Sequence, residues 1–447
     1  MDPIVVMIPA TRENFYEAGY LIANPDVAEA VATGEIQSGK QHFEEAGAEE
    51  GRMLWAISLT PPPGGQRIHP LSAYSRTGIW HQLHHFFAIE PVLPNPILEP
   101  NASISGDIVI CARLIDAFSR AVAYEEDNIP PEKRPNGDMW EALKLDAHGE
   151  AHRLLVAKDS AGLADYLTNG LRTTFCYGLG TGPGTFQNMS GMEWRDPVLK
   201  LVDRLATLAE AIGALPYEDA EKGQYGQNIH LAIPQLVDAI ERKLRFPINR
   251  PKVMGNFGID RDRGVIDARV PEDAYCAHRI RLICDDISNT GFIEIGGGFG
   301  GMALFALRAG ATRWPIVDLP IMNVVHGYFL IKCLGGNTVR LFGEDNPEAA
   351  VEALPYWEFF DRARNYAVVF NRDSLPEIQR ERVDEYLAEI EVRGASLLSI
   401  NQEAGASTGQ HNLHQIIAER GKLECRSRHP YWVRKGYIEE LYMPSRR

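Results

Sequence analysis

The chain has 447 residues, of which 45% are apolar and 23% charged, with a formal net charge of -15. This length calls for more than one small domain, and the composition is that of an ordinary globular protein. The acidity argues against non-specific affinity for nucleic acid or anionic membrane. The six cysteines form no CxxC pair and no local zinc pattern. No apolar run is long enough for a membrane span, and no basic-then-apolar leader opens the chain. Scattered thiols of this kind suit a cytoplasmic protein.

Residues 1–55 read as a small helical module, with Asn24 followed by Pro25 at a first-turn position. The run from Asn24-Pro25-Asp26-Val27-Ala28 through His42-Phe43 to Glu50-Gly51-Arg52 resembles a short module of bacterial polysaccharide-modifying proteins. An ordinary helical hairpin accounts for the same residues. Residues 56–104 form a proline-rich connection. Within it His81 and His85, four apart, would share a helical face beside His84. No third metal ligand is evident, and a packed histidine cluster is the preferred reading.

Residues 105–285 carry apolar residues at helical spacing over 108–124, 138–157, 162–168, 197–212 and 231–244. They predict a helical substrate or lid domain. The glycine-rich loop from Gly178 to Gly184 lacks the lysine of a phosphate-binding loop and reads as a lid or tight connection. Residues 286–447 alternate strand and helix. Strands are expected at 291–295, 314–318, 338–341, 366–371 and 395–401. Helices are expected at 302–309, 321–334, 347–354 (short), 377–393 and 413–420. A hairpin is expected from 423–428 and 437–442. That rhythm predicts an α/β fold with a mostly parallel sheet.

Ligands of such a sheet sit outside the carboxyl ends of its strands. The first end is Glu294-Ile295-Gly296-Gly297-Gly298-Phe299-Gly300, a glycine loop on which a ligand can rest against bare backbone. Its third glycine comes one residue earlier than in a dinucleotide loop. Asp318 ends the next strand about 20 residues on, where an acid can accept ribose hydroxyls; capping the following helix is its structural alternative. Leu319 follows it. Glu344 and Asp345 could meet an adenine amino group or cap a helix. Asn371, Asp373, Asn401 and Glu403 close the fourth and fifth ends. Asp373, His411 and His414 are the candidate general bases, with Asn371 and Asn401 orienting a hydroxyl. Asp373, Asn401 and Glu403 could instead hold a divalent cation, a role not favoured.

The ordered set resembles the bacterial sugar O-methyltransferases, class I enzymes that use S-adenosylmethionine. The matching residues are Glu294–Gly301, Ile316-Val317-Asp318-Leu319-Pro320, Gly343-Glu344, Asn371–Glu377, Asn401-Gln402-Glu403 and Arg428-His429-Pro430-Tyr431-Trp432, with Tyr275 and Arg279 upstream. The resemblance covers roughly residues 250–447. It implies a Rossmann-like sheet with an antiparallel C-terminal hairpin. It assigns Glu294, the loop glycines and Asp318 to the cofactor, and puts Tyr275 and Arg279 near its methionine end.

The resulting expectation is methyl transfer from S-adenosylmethionine, with S-adenosylhomocysteine as product, to a hydroxyl of a saccharide or natural product. Homo-oligomerisation is compatible with it. N-methylation of a natural-product scaffold, a nicotinamide-dependent oxidoreductase and a non-catalytic scaffold for polysaccharide assembly are the alternatives.

Overall fold

The computed structural model describes residues 4–58, 66–67, 94, 96–97, 101–102, 104–135, 147–176, 195–217, 228, 231–262, 264–403 and 411–445. The histidines 81, 84 and 85 and the glycine loop 178–184 lie outside these residues. The chain divides into two compact units, residues 1–93 with 215–236 and residues 94–214 with 237–447.

In the first unit β1 (Ile4–Pro9) pairs antiparallel with β2 (Met53–Ser58) and β3 (Gln66–Arg67). The sequence predicted only helix here. Both longer strands are short continuous apolar runs, which periodicity cannot separate from buried helix. Between them lie α1 (Glu17–Ala23), α2 (Pro25–Thr33) and α3 (Gly39–His42), followed by a π-helical turn at Phe43–Gly47. Tyr20, Val27, Phe43 and Leu54 form the core. Of the polar residues of the N-terminal motif, Asn24 faces inward and Asp26, Glu50 and Arg52 lie at the surface. Asn24 donates to the carbonyls of Tyr20 and Met53, both at 2.8 Å, and Arg52 pairs with Asp26 and Glu50. Asn24 therefore serves the fold, because its side chain satisfies backbone carbonyls of a helix and a strand.

The second unit begins with β4 (Pro96–Ile97) and the helices α4 (Ser105–Asn128), α5 (Gly149–Val156), α6 (Ser160–Thr168) and α7 (Arg195–Ala211), and it takes in α8 (Ile233–Leu244) from Val237 onward. The region expected to be helical also holds β5 (Arg250–Pro251), β6 (Gly258–Arg261) and β7 (Gly264–Asp267). With β4 they make a small antiparallel sheet, order β4-β6-β7-β5. These strands are too short for an alternation to register. Helix α9 (Val270–Ile283) leads into the main sheet.

That sheet contains β8 (Phe292–Ile295), β9 (Trp314–Asp318), β10 (Val339–Leu341), β11 (Val351–Pro355), β12 (Val368–Arg372), β13 (Ser396–Gln402), β14 (Leu423–Pro430) and β15 (Tyr437–Pro444). Its order is β10-β11-β9-β8-β12-β13-β15-β14. The pairs from β10 to β13 are parallel, and β15 runs antiparallel to both β13 and β14. The mostly parallel, Rossmann-like sheet with an antiparallel C-terminal hairpin is the architecture expected from the sequence.

Its crossovers are α10 (Gly301–Arg308), α11 (Pro320–Leu334), α12 (Arg380–Arg393) and α13 (Leu413–Arg420). Leu354 of β11 packs with Val383, Leu387 and Ile390 of α12. Its neighbour Ala353 faces Asn323 and Val324 of α11. Adjacent strand residues point to opposite faces, so helices cover both sides. One expectation is corrected: residues 347–354, read as a short helix, end in strand β11. Val351-Glu352-Ala353-Leu354 is buried throughout and pairs beside β9. Among the described residues no helix is long and apolar enough to cross a membrane.

Candidate functional site

The carboxyl ends of β8, β9, β12 and β13 open on a cavity of about 530 Å³. This volume lies in the usual range for small-molecule sites. Glu294, Gly296, Gly297, Gly298, Phe299, Asp318, Leu319 and Asp373, all expected at the site, line it.

The loop after β8 turns on Gly296, whose φ is +74°. A Cβ there would sit 2.2 Å from Ser374 Oγ, so position 296 tolerates no side chain without displacement. Gly301 starts α10, and a Cβ on it would lie 2.3 Å from Asp273 Oδ2. Gly300 does not line the cavity; it is the N-cap of α10. Beneath the loop, buried His326 makes a 3.3 Å hydrogen bond from Nδ1 to the Gly298 carbonyl. Burial pushes this imidazole down to about 4, so at neutral pH it is an uncharged prop.

Two acids meet the loop. Glu294 is 3% exposed and accepts a hydrogen bond from Trp314 Nε1 at 2.6 Å. Burial raises its carboxyl to about 8, against the opposing pull of that hydrogen bond and of Arg372. Asp318 accepts from its neighbour's N–H, that of Leu319, at 2.8 Å. Enclosure raises it to about 7, while the N–H groups of Leu319, Gly297 and Gly298 favour its ionised form. Asp318 is thus an acid held against bare loop backbone at a strand end.

The opposite wall is built from arginines. Arg269, Arg372, Asp373, Arg434 and Tyr437 line it with Gln402. Asp373 has a φ of +72°, uncommon for a residue with a side chain. Its Oδ2 accepts from Arg434 at 2.8 Å and Arg269 at 3.2 Å. Behind it Glu272, 1% exposed, meets Arg269 at 3.0 Å, Arg204 at 3.3 Å and Arg434 at 3.7 Å. Burial disfavours its charge, but these guanidiniums hold it well below the usual carboxylate range. Asp273 joins Arg372, at 2.6 Å, to the fully buried Arg250. Arg250 also grips Asp267 at 2.7 and 2.8 Å and lies 4.7 Å over the Phe299 ring.

The remaining expected residues fall elsewhere. Asn371 and Asn401 are buried between strands: Asn401 donates to Asn371 Oδ1 at 2.9 Å, and Asn371 donates to the Ile295 carbonyl at 3.0 Å. They fasten β13, β12 and β8 together and do not line the cavity. Glu403 is held by Arg428 at 2.7 Å, which together with the arginines on Asp373 leaves no shared oxygen-ligand site for a cation. Among the described residues no cluster suited to a metal occurs. His414 bonds Tyr442 at 2.9 Å and Glu440 at 2.7 Å, and neither it nor His411 lines the cavity.

Glu344 accepts from Arg113 of α4 at 2.5 and 2.6 Å. It follows β10, one strand farther from β9 than expected, because β11 intervenes. Asp345, beside it, is exposed. Tyr356, next to the end of β11, occupies the cavity wall instead. Arg279 pairs with buried Glu439 at 2.5 Å, and Tyr275 packs edge-on to Tyr431, both outside the cavity.

Lining residues not expected as site members include Arg269, Met322, Arg372, Tyr356, Tyr386 and Arg434. Arg372 follows Asn371 at the end of β12, where its place in the sequence marks it. Arg269 and Arg434 come from turns without motif.

No family model matches the chain, and no curated protein does. Solved structures with a similar fold include the glycopeptide N-methyltransferase MtfA complexed with sinefungin. It is 11% identical with a TM-score of 0.30, over 38% of this chain and 92% of that one. A Thermoplasma acidophilum protein is 10% identical with a TM-score of 0.28, over 39% and 89%. A ribosomal-protein methylase from Lactobacillus delbrueckii subsp. bulgaricus is 11% identical with a TM-score of 0.27, over 39% and 80%. The likeness is one of fold.

Proposed function

We propose that the cavity binds S-adenosylmethionine and that the protein transfers its methyl group to a hydroxyl of a sugar or sugar-like small molecule. The observation that carries this reading is Asp318, a carboxylate fixed at the end of β9 and faced by the Gly297 and Gly298 amides. The loop fits such a group because Gly296, Gly297 and Gly298 present bare backbone to the cavity. When bound, the cofactor supplies an electrophilic methyl on a sulfonium, whose C–S electron pair stays on sulfur as the new C–O bond forms.

Asp318 would accept the ribose hydroxyls and Glu294 would face the cofactor's ammonium end. Tyr356 and Met322 offer apolar surface for the adenine. The walls exclude water and align the acceptor, an effect worth about 7–11 kcal/mol of barrier. Asp373 is the candidate base that lines the cavity, and it would take the acceptor's proton.

Calorimetry of the full chain with S-adenosylhomocysteine and, separately, NAD tests the cofactor. Binding of the former alone is expected; binding of NAD alone would make the chain an oxidoreductase. Labelled-methyl transfer to a panel of sugars and amines then tests the acceptor atom. Loss of transfer in Asp373→Asn with cofactor binding retained is the expected result for a base.

A further inference from the structure

We propose that the methyl acceptor carries an oxyanion, a carboxylate or a phosphate, received by Arg434 together with Arg372 and Arg269. The inference rests on the cofactor reading above and adds the chemical class of the acceptor.

Position comes first. Asp318 ends β9, whereas Arg372 ends β12, on the other side of β8. Arg434 precedes β15 and reaches Asp373 just after β12. A nucleoside seated on Asp318 therefore leaves the arginine wall beyond the loop, clear of the ribose.

Charge comes second. Among the described residues the connected network holds five guanidiniums, on Arg204, Arg250, Arg269, Arg372 and Arg434. It holds four carboxylates, on Asp267, Glu272, Asp273 and Asp373. Three of these guanidiniums, on Arg269, Arg372 and Arg434, line the cavity, against one of these carboxylates, on Asp373, so the face turned toward a ligand is rich in donors. The rest of the chain is acidic, at -15 overall, so this enrichment is local.

Geometry comes third. The Arg434 guanidinium stacks on Tyr437 at 4.0 Å and touches Asp373 through Nη1. Stacking fixes the plane of its donors, and a planar fork of donors is the geometry that meets an oxyanion.

The test is calorimetric titration of the S-adenosylhomocysteine-saturated full chain with D-glucuronate, glucose 1-phosphate and D-glucose. At least one of the two anions is expected to bind about tenfold or more tighter than glucose, the size of one charge-assisted hydrogen bond. Which anion wins separates carboxylate from phosphate. Arg434→Gln should abolish the preference and leave S-adenosylhomocysteine affinity unchanged; Arg434→Lys should keep part of it. Equal affinity for the three sugars, or no binding of either anion, overturns the proposal. So does an Arg434→Gln variant that loses S-adenosylhomocysteine but keeps methylthioadenosine, because the arginines would then serve the cofactor's own carboxylate. Failure of the unaltered chain to bind S-adenosylhomocysteine at all would instead remove the cofactor reading, and this inference with it.

Discussion

Trp314 and Glu294 join two neighbouring strands beneath the glycine loop through a 2.6 Å indole-to-carboxyl hydrogen bond. Burial raises the Glu294 carboxyl from an ordinary 4.5 to about 8. Between those values the folded chain keeps a proton that the unfolded chain has lost. The contribution of this group to stability is therefore complete below about pH 4.5, declines through the window, and is gone above about pH 8. Glu294→Gln, which keeps an acceptor for Trp314, should remove that decline. Thermal melting from pH 5 to 8.5 should show the unaltered chain losing ground to the variant, by a few kcal/mol at most. Parallel curves would rule out a buried neutral carboxyl.

In the proposed site Asp318 would accept ribose hydroxyls best as a carboxylate, and its carboxyl is raised to about 7 by enclosure. Affinity for S-adenosylhomocysteine should therefore climb as pH passes through 7 and level off above it. Asp318→Asn should lower affinity about 10- to 100-fold, the loss of a hydrogen bond to a charged group, and flatten the pH dependence. Calorimetry at several pH values reads both effects.

Gly296→Ala places a Cβ against Ser374 at a φ of +74°. We expect a loss of about 1–3 kcal/mol, from backbone strain and crowding together. Adding Ser374→Gly should restore only the part due to crowding. Urea unfolding midpoints of the single and double variants separate the two.

Glu344→Gln makes the opposite test. Arg113 and the Leu341 N–H hold the Glu344 carboxylate, and although burial opposes it, its pKa lies below the ordinary value. Its stabilising contribution is thus present above an ordinary glutamate's pKa and lost as pH falls through the lower folded value. The variant should lose about 1–3 kcal/mol near neutral pH while binding S-adenosylhomocysteine as before. A large fall in affinity would return Glu344 to the adenine pocket.

The parallel sheet was legible because its strands are apolar, β-branched and separated by helical periods of sufficient length. The glycine loop and Asp318 were legible because their spacing along the chain reflects a geometric need. Strand β11 was not, since Pro347-Glu348-Ala349-Ala350 carries helix-favouring residues and the strand that follows is buried on both faces. That error moved Glu344 one strand too close to the site. Glu439, the partner of Arg279, and Arg434, the partner of Asp373, are separated from them by long stretches of chain. Single-sequence spacing carries no information about such pairings, so the arginine wall could not be anticipated.

Arg250 has a consequence for how this chain can be cut and recombined. Its guanidinium ties Asp267 and Asp273 together and lies on Phe299 of the loop. A shortened chain that begins at β8, where the strand–helix rhythm starts, would leave the loop without the ions that brace it and Gly301 without the carboxylate it packs against. Exchange of acceptor specificity by shuffling segments must therefore place its crossover upstream of residue 250. A junction between 273 and 292 is expected to yield insoluble hybrids unless the donor supplies the same arginine and carboxylates.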